Sequence, residues 1–479
     1  MNRQSNLHPY ERVLRAGLDV GSGIAPIASS YASIELNSFG LYETRISPET
    51  PEEDLDMLGR MSAMCDMREL DESELAAELF GSNSSVLVDD VVGRYSALYA
   101  GHVREGDFRA KASSGGCASW LLVELLRRNL IDGVLHIAPS FGGDGSLLFD
   151  YAISRDESSI RARSKSQYYP AELSRVLGEA LNLPGRYAVV GIPSIVYEIR
   201  LACRELPLLK ERLPYVLGLV CGHQKSTRYV ESFGWQAGIS PGELRSFDFR
   251  VKNEEGFAWN YRMAAVGARD GEPFEVLLSQ EDLVGSDWGH GFFKAKFSDY
   301  TDDAFNETAD VVFGDAWLPE YERDASGNNI VIVRNPDLQT IFEEGIAEGR
   351  LDLVSVDVQT IRRSQRGLIN HTRGELPWRL DRAARLEGWA PSKRVAPSHS
   401  LPLLRRLVQR TRLEIAGRSH VTYARARDSG DMSIFIRSMR PLTWRYSLLY
   451  RAIFVSSTIK TRGVRYVLGK LIQRIRIRR

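Results

Sequence analysis

A chain of 479 residues and 53.9 kDa is long enough for two or three domains with full apolar cores. Hydrophobic residues at 43% and charged residues at 26% exclude a disordered or fibrous chain. Lys+Arg and Asp+Glu both number 62, but the balance is not uniform: residues 390–479 hold 21 basic against 3 acidic residues, so that segment carries +18 and the remainder −18. An acidic body is joined to a strongly basic end. Four cysteines (Cys65, Cys117, Cys203, Cys221) form no C-x-x-C pair. This argues against a thiolate zinc site, a self-contained four-cysteine cluster and a disulfide framework. Met1 to Leu18 holds no secretory pattern, and no run approaches about 18 apolar residues, so the expected compartment is the cytoplasm.

Residues 1–60 are loop-rich, with several Ser and Pro around Gly17–Gly23, and the acidic stretch 51–80 reads as helix or linker. From about 95 to 360, short apolar runs alternate with amphipathic segments. Strands are predicted at Ala97–His102, Gly133–Ile137, Leu147–Ile153, Tyr187–Val190, Val216–Cys221, Phe247–Val251, Val311–Phe313, Ile330–Val333 and Leu351–Val356. Helices are predicted after Ser113-Ser114-Gly115-Gly116, after Pro193, and from Asn335-Pro336, where Asn caps and Pro takes the first helical position. The alternation predicts an α/β class with a mixed sheet. Beyond residue 390, Tyr446, Leu449, Tyr450, Ile453 and Phe454 fall at helical spacing, as do Leu468, Leu471, Ile472 and Ile475, with arginines between them. This is a basic amphipathic helical pattern.

Four stretches could carry chemistry. In Arg109-Ala110-Lys111-Ala112-Ser113-Ser114-Gly115-Gly116, small residues at a helix start let backbone amides approach an anion, and two cations stand beside them. An ordinary Ser cap with a Gly turn is the other reading. Val190-Gly191-Ile192-Pro193-Ser194 joins a strand to a helix, where α/β proteins place ligands, or is a plain turn. Cys221 and His223 stand two apart on one loop, poor geometry for a nucleophile and its base, so Cys221 reads as structural. Asp315, beside Gly314 at a strand end, is a ribose or substrate ligand or a loop cap.

Taken together, these stretches resemble the coenzyme F420 hydrogenase/dehydrogenase beta-subunit family, which includes 7-hydroxymethyl chlorophyll a reductase. The family's R-x-K-x-x-S-G-G and G-x-I-D-G-V match Arg109–Gly116 and Asn129–Val134. Its V-G-T-P-C, G-L-x-C and A-D-I-x-x-G-D match Val190–Ser194, Gly218–Cys221 and Ala309–Asp315. The resemblance covers about residues 14–360. It implies a mixed-sheet, FAD-binding α/β core over 61–385, a degenerate ferredoxin-like segment over 1–60, and, outside it, a basic helical region over 386–479. The departures are specific. The first cluster's cysteine positions hold Asp19, Ser22, Ala25 and Ser29. A second set reads Ser298, Thr301 and Asp303, and the Cys of V-G-T-P-C is Ser194. Clusters need thiolates, so none is expected, and no other metal site either. Flavin takes a hydride in one two-electron step and needs no such relay.

By resemblance, Arg109, Lys111, Ser113, Ser114, Gly115 and Gly116 would hold FAD. Gly191 and Pro193 would flank the ring, with Ser194 on the same loop, and Asp315 and Trp317 would close the pocket. His223 is the proton-donor candidate, because an ordinary pKa near 6.5 suits acid–base work, and Ser194 is the other catalytic candidate. The expected function is a cluster-free FAD-dependent oxidoreductase moving hydride from NAD(P)H or reduced coenzyme F420 to an organic substrate. Family context points to a sugar or lipid-linked sugar of surface polysaccharide. The alternative is a non-redox homologue acting as a sugar-modifying transferase or scaffold. The basic end suits an anionic membrane surface or packing on its own acidic body; nucleic acid ranks third, as no nucleic-acid-binding signature is present.

Overall fold

The computed structural model describes residues 7–140, 147–253 and 256–462. An eight-stranded mixed sheet forms its centre, in the order Leu351–Ser355, Ala97–Val103, Asn329–Val333, Val311–Asp315, Tyr215–Leu219, Tyr187–Gly191, Gly133–Pro139, Phe149–Ser154. The four strands from Val311–Asp315 to Gly133–Pro139 are mutually parallel. Ala97–Val103 runs the same way, because it and Val311–Asp315 both pair antiparallel with Asn329–Val333. Five strands therefore end at one edge of the sheet.

The period of two along the strands sends side chains to two apolar layers. Val331, Val333, Val311 and Phe313 join Trp120, Leu121, Leu338 and Phe342 of helices Cys117–Arg127 and Pro336–Ala347 on one face. Ile330, Ile332 and Val312 join Val196 and Ile199 of helix Pro193–Glu205 on the other. The Asn335 side chain accepts from Asp337 N and Pro336 opens the helix, as the sequence predicts. Gly116, ahead of Cys117–Arg127, has φ +86°, and a Cβ there would sit 2.8 Å from the Phe108 carbonyl carbon, so only glycine serves.

Residues 1–60 are less loop-like than expected. They form helices Pro9–Arg15 and Ala25–Ala28, a hairpin of Ala32–Leu36 with Tyr42–Ile46, and helix Glu52–Met61. Tyr10, Val13, Val20 and Leu58 share one buried cluster with the sheet, so this segment is docked on the core. The stretch 51–80 resolves into Glu52–Met61 and Glu72–Phe80, the latter started by an Asp71–Glu74 capping box. The strand expected at Phe247–Val251 is Leu244–Val251, and it belongs to a separate three-stranded antiparallel sheet with Arg262–Arg269 and Glu272–Ser279. The last two escape a sequence reading because apolar residues also stand on their open face, among them Val266 and Leu277, so the alternation of covered and exposed positions is not matched by an apolar–polar one.

The basic region folds back on the body. Helices Leu403–Ser429 and Met432–Arg462 pack on each other and on the three-stranded sheet through Val408, Ile415, Tyr423, Phe435, Met439 and Tyr446. Arg427 meets Glu231 at 3.0 Å, Arg405 pairs with Glu375, and Arg394 reaches Glu307 at 2.8 Å. The inward face of the second helix is rotated from the expected one. Tyr446 is buried and Leu449 and Ile453 are half-buried, but Tyr450 and Phe454 face outward. The second expected stripe, Leu468 to Ile475, lies outside the described residues.

Glu198 ties the N-terminal segment to the core. Its carboxyl accepts from Ser22 Oγ at 2.6 Å and from Ala63 N at 3.0 Å. Burial, reinforced by Asp19, pushes it up to about 8. A carboxyl raised on folding supports the fold fully below its ordinary pKa near 4.3, and that support is lost as pH rises toward 8. The stability of the wild type relative to Glu198→Gln should therefore fall by a few kcal/mol between pH 5 and 8, read from urea midpoints at each pH, with a weaker slope left by Asp19. Phe342 packs on Tyr99 at 6.0 Å and Trp120 at 5.9 Å with no exposure. Phe342→Ala should cost about 3–5 kcal/mol in the same measurement.

Candidate functional site

At the edge where the five codirectional strands end, their turns enclose a cleft with about 1430 Å³ of space, part of it open to solvent. Ser113, Ser114 and Gly116 come from the turn after Ala97–Val103, Gly191 from Tyr187–Gly191, Cys221 and His223 from Tyr215–Leu219, and Asp315 from Val311–Asp315. Stretches up to 200 residues apart in sequence thus meet at one place, because a parallel strand can only present its turn at its own carboxyl end.

Of the expected site residues, Ser113, Ser114, Gly116, Gly191, His223 and Asp315 line this cleft. The other six stand outside its lining. Arg109 is spent on the 324–328 loop: its Nε donates to Gly327 O at 3.0 Å and its guanidinium pairs with Asp324. Lys111 is exposed and pairs with Asp107 at 2.6 Å. Gly115 packs against the strands, where a Cβ would meet Asn329 Oδ1 at 2.7 Å. Pro193 and Ser194 are buried in the first turn of their helix. Trp317 lines a smaller neighbouring recess with Arg250 and Tyr261.

The basic side chains of the cleft are residues that the sequence reading did not single out: Arg163, Lys165 and Arg250, with Lys225, whose pKa burial drives well down. Among the described lining residues, Asp315 is the carboxylate, and Arg250 holds it at 3.0 Å between the rings of Tyr261 and Trp317. Lys165 spans Asp248 at 3.1 Å and Arg250 O at 3.0 Å. These residues come from loops and from the second sheet, and no local pattern marks them. Four enclosed atoms of lining residues, Gln167 Oε1, His223 Nδ1, Gln224 Oε1 and Arg250 Nε, have no hydrogen-bond partner. Buried polar atoms are ordinarily satisfied by protein or water, so these atoms have hydrogen-bonding capacity to offer inside the cleft.

His223 is not the acid expected from its ordinary pKa. Burial, with Lys294 and Lys225 close by, drives its pKa well down, so the ring is neutral. It stacks on Trp288 at 5.1 Å and can exchange hydrogen bonds but does not carry charge. Cys221 is likewise inert. Its Sγ donates to His223 O at 3.3 Å, and burial pushes the thiol up. The aligned cluster positions are committed to hydrogen bonds: Ser22 Oγ to Glu198, Ser298 Oγ from Gln224 N at 3.0 Å, and Asp303 from Phe305 N and Glu307 N. Among the described residues, no three His, Cys, Asp or Glu side chains are grouped to hold a metal ion.

No curated protein matches the chain. Among solved structures, a chain of the F420-reducing NiFe hydrogenase complex from Methanosarcina barkeri is similar at 14% identity and a TM-score of 0.47, covering 64% of this chain and 99% of that one. Two family models match directly: the coenzyme F420 hydrogenase/dehydrogenase beta subunit N-terminal model over residues 98–178, and the C-terminal model over 185–359. Together they span more than half of the 479 residues and contain every turn that lines the cleft edge. The chain belongs to the coenzyme F420 hydrogenase/dehydrogenase beta-subunit family.

Proposed function

We propose that the chain is an FAD-dependent oxidoreductase that works without iron–sulfur clusters. The observation that carries this reading is the cleft itself: four basic side chains against one paired carboxylate, a glycine-shaped turn at a helix start, and four unpartnered polar atoms. Ser113, Ser114 and Gly116 would receive the diphosphate, with Arg163 and Lys165 supplying charge that Arg109 and Lys111 spend elsewhere. Trp288 stacks on His223 at 5.1 Å and meets the tilted ring of Tyr168 at 4.9 Å, and Tyr168 and His223 would offer ring surface to a flat ligand. Bound flavin would supply two-electron hydride chemistry between a reduced carrier, NAD(P)H or coenzyme F420, and an organic substrate, of which a sugar of surface polysaccharide is one class. The neutral imidazole of His223 would orient that substrate by hydrogen bonding.

The test is a titration of FAD into the purified full chain. Quenched flavin fluorescence and the visible bands of bound flavin, without a broad iron–sulfur shoulder, are expected. Lys165→Glu should weaken binding about tenfold or more by reversing one lining charge. A protein that stays colourless with added FAD overturns the reading in favour of a non-redox role as a transferase or scaffold.

The outer face of helix Met432–Arg462 supports a second element, docking on an anionic membrane surface. Arg437, Arg440, Trp444, Leu448, Arg451 and Val455 follow one another at i, i+3, i+7, i+11, i+14 and i+18, all exposed, and the helix contains no acidic residue. Trp444 is 67% exposed. An apolar stripe flanked by arginines fits an interfacial helix. No helix among the described residues is long and apolar enough to cross a membrane. Flotation with vesicles should carry the protein on anionic but not neutral lipid, and Trp444→Ser with Arg451→Glu should abolish it. Equal flotation with both lipids would count against docking.

A further inference from the structure

Residues 316–328, thirteen in all, connect the antiparallel strands Val311–Asp315 and Asn329–Val333 without a helix or strand of their own. A hairpin is ordinarily closed by about 2–5 residues, and a loop this long in a compact fold usually serves a site. This loop lies on the Ser113–Gly116 turn. Ser114 Oγ donates to Asn328 O at 2.9 Å. Gly327, with φ +80°, comes so near that a Cβ there would sit 3.0 Å from Ser114 Cα. Trp317, Tyr321, Ala325 and Asn328 of the loop wall a recess with about 400 Å³ of space. Ser113, Ser114, Arg250 and Asp315 line both this recess and the cleft, so the loop covers the turn on the side away from the cleft.

The loop is held in two ways. Ala316, Leu318 and Tyr321 pack in the apolar cluster of the core. The tip, residues 322–327, is closed on itself: Asp324 accepts from Ser326 N at 3.1 Å and from Asn328 Nδ2 at 3.2 Å, and Gly327 N donates to Asp324 O at 2.9 Å. Among the described residues, its hydrogen bonds and ion pairs to groups outside the loop come from Ala258 N, which donates to Glu322 O at 2.7 Å, and from Arg109. Every hydrogen bond of the Arg109 side chain goes to this loop: Nε and Nη2 to Gly327 O at 3.0 and 2.9 Å, Nη2 also to Asn328 Oδ1 at 3.5 Å and to Asp324. The Arg109 backbone, in contrast, belongs to the turn. Lys252 Nζ donates to the carbonyls of both Arg109 and Ser114, and a Cβ on Gly116 would sit 3.0 Å from Arg109 N. One side chain thus joins the tip to the turn beneath it.

We propose that residues 322–327 form a lid over the Ser113–Gly116 turn and that the Arg109–Asp324 ion pair is its latch: a diphosphate arriving at the turn takes the guanidinium from Asp324, and the tip lifts. The latch is weak enough to be exchanged, because its side chains are 21% and 42% exposed and ion pairs open to water hold little energy. A diphosphate carries more charge than one carboxylate and offers the guanidinium a second oxygen. The exchange needs only the side chain to turn, since Lys252 keeps the backbone of Arg109 beside that of Ser114. The inference rests on the reading of the cleft as a diphosphate site and adds to it a closed form, with Arg109 on Asp324, and an open form, with Arg109 on the ligand.

The experiment is titration of FAD, and separately of inorganic pyrophosphate, into the full chain at constant ionic strength, with hydrogen exchange measured in the absence of both. Arg109→Gln should weaken binding of each probe about tenfold or more, because a charge-assisted contact is lost. Asp324→Asn should tighten binding of each about threefold, because no carboxylate then competes for the guanidinium. Opposite signs from the two halves of one ion pair mark a latch, whereas a pair that only holds the fold gives losses from both. Without ligand, the amides of residues 322–328 should exchange about tenfold faster in Asp324→Asn, with those of the flanking strands unchanged. Weaker or unchanged binding by Asp324→Asn, unchanged binding by Arg109→Gln, faster exchange in the strands as well, or a wild type that takes neither probe would each overturn the proposal. Opposite signs with pyrophosphate in a chain that takes no FAD would leave the latch standing and sink only the flavin reading.

Discussion

Strand direction is the constraint on which the site depends. Five strands of the central sheet run the same way, so their following turns must all emerge at one edge. A hydrogen-bonded parallel ladder leaves no freedom to place a turn elsewhere. The Ser113–Gly116 turn, Gly191, His223 and Asp315 are brought together by this rule and not by any contact among themselves. The two apolar layers then hold the sheet rigid, with Trp120 and Phe342 on one face and the N-terminal segment on the other. The cleft is a consequence of topology, and the side chains around it decide what it can hold.

Those side chains divide the work between two kinds of electrostatics. Two of the lining cations are paired, Arg250 with Asp315 and Lys165 with Asp248. Paired charges fix geometry and leave a moderate field. Lys225 is enclosed without an ion-pair partner among the described residues, and burial, with Lys294 close by, drives its pKa well down. Burial, reinforced by the nearby cations, holds His223 and His371 neutral as well. A site of this kind stabilises negative charge and disfavours a protonated imidazole, so a cationic histidine acid has no place in it.

The positions that align with the family's cluster cysteines lie in turns held by hydrogen bonds. Ser22 and Ala63 bind the Glu198 carboxyl, and Ser298 accepts from the backbone of Gln224, so hydrogen bonds hold the turns together where thiolates stand in the family pattern. Further along, Arg394 of the basic region reaches Glu307 and Asp302, tying the segment after residue 386 to the core. The acidic body and the basic end offset each other partly inside one molecule, while the arginines on the outer stripe of Met432–Arg462 are exposed.

By itself, the sequence determined the α/β class, most strands of the central sheet, the helix starts at Cys117, Pro193 and Pro336, and the turns that line the cleft edge. Those features rest on local physics: apolar period, capping residues and glycines where a Cβ cannot fit. Only the tertiary structure decided which residues face the cleft. Arg109 and Lys111 look like anion ligands in a linear motif, yet Asp324 and Asp107 claim them, and neither partner is marked in the chain. Lys165, Lys225 and Arg250 carry no signature, since loops and a second sheet bring them to the cleft. Burial and pairing are sums over residues hundreds of positions apart, and a one-dimensional pattern does not contain them.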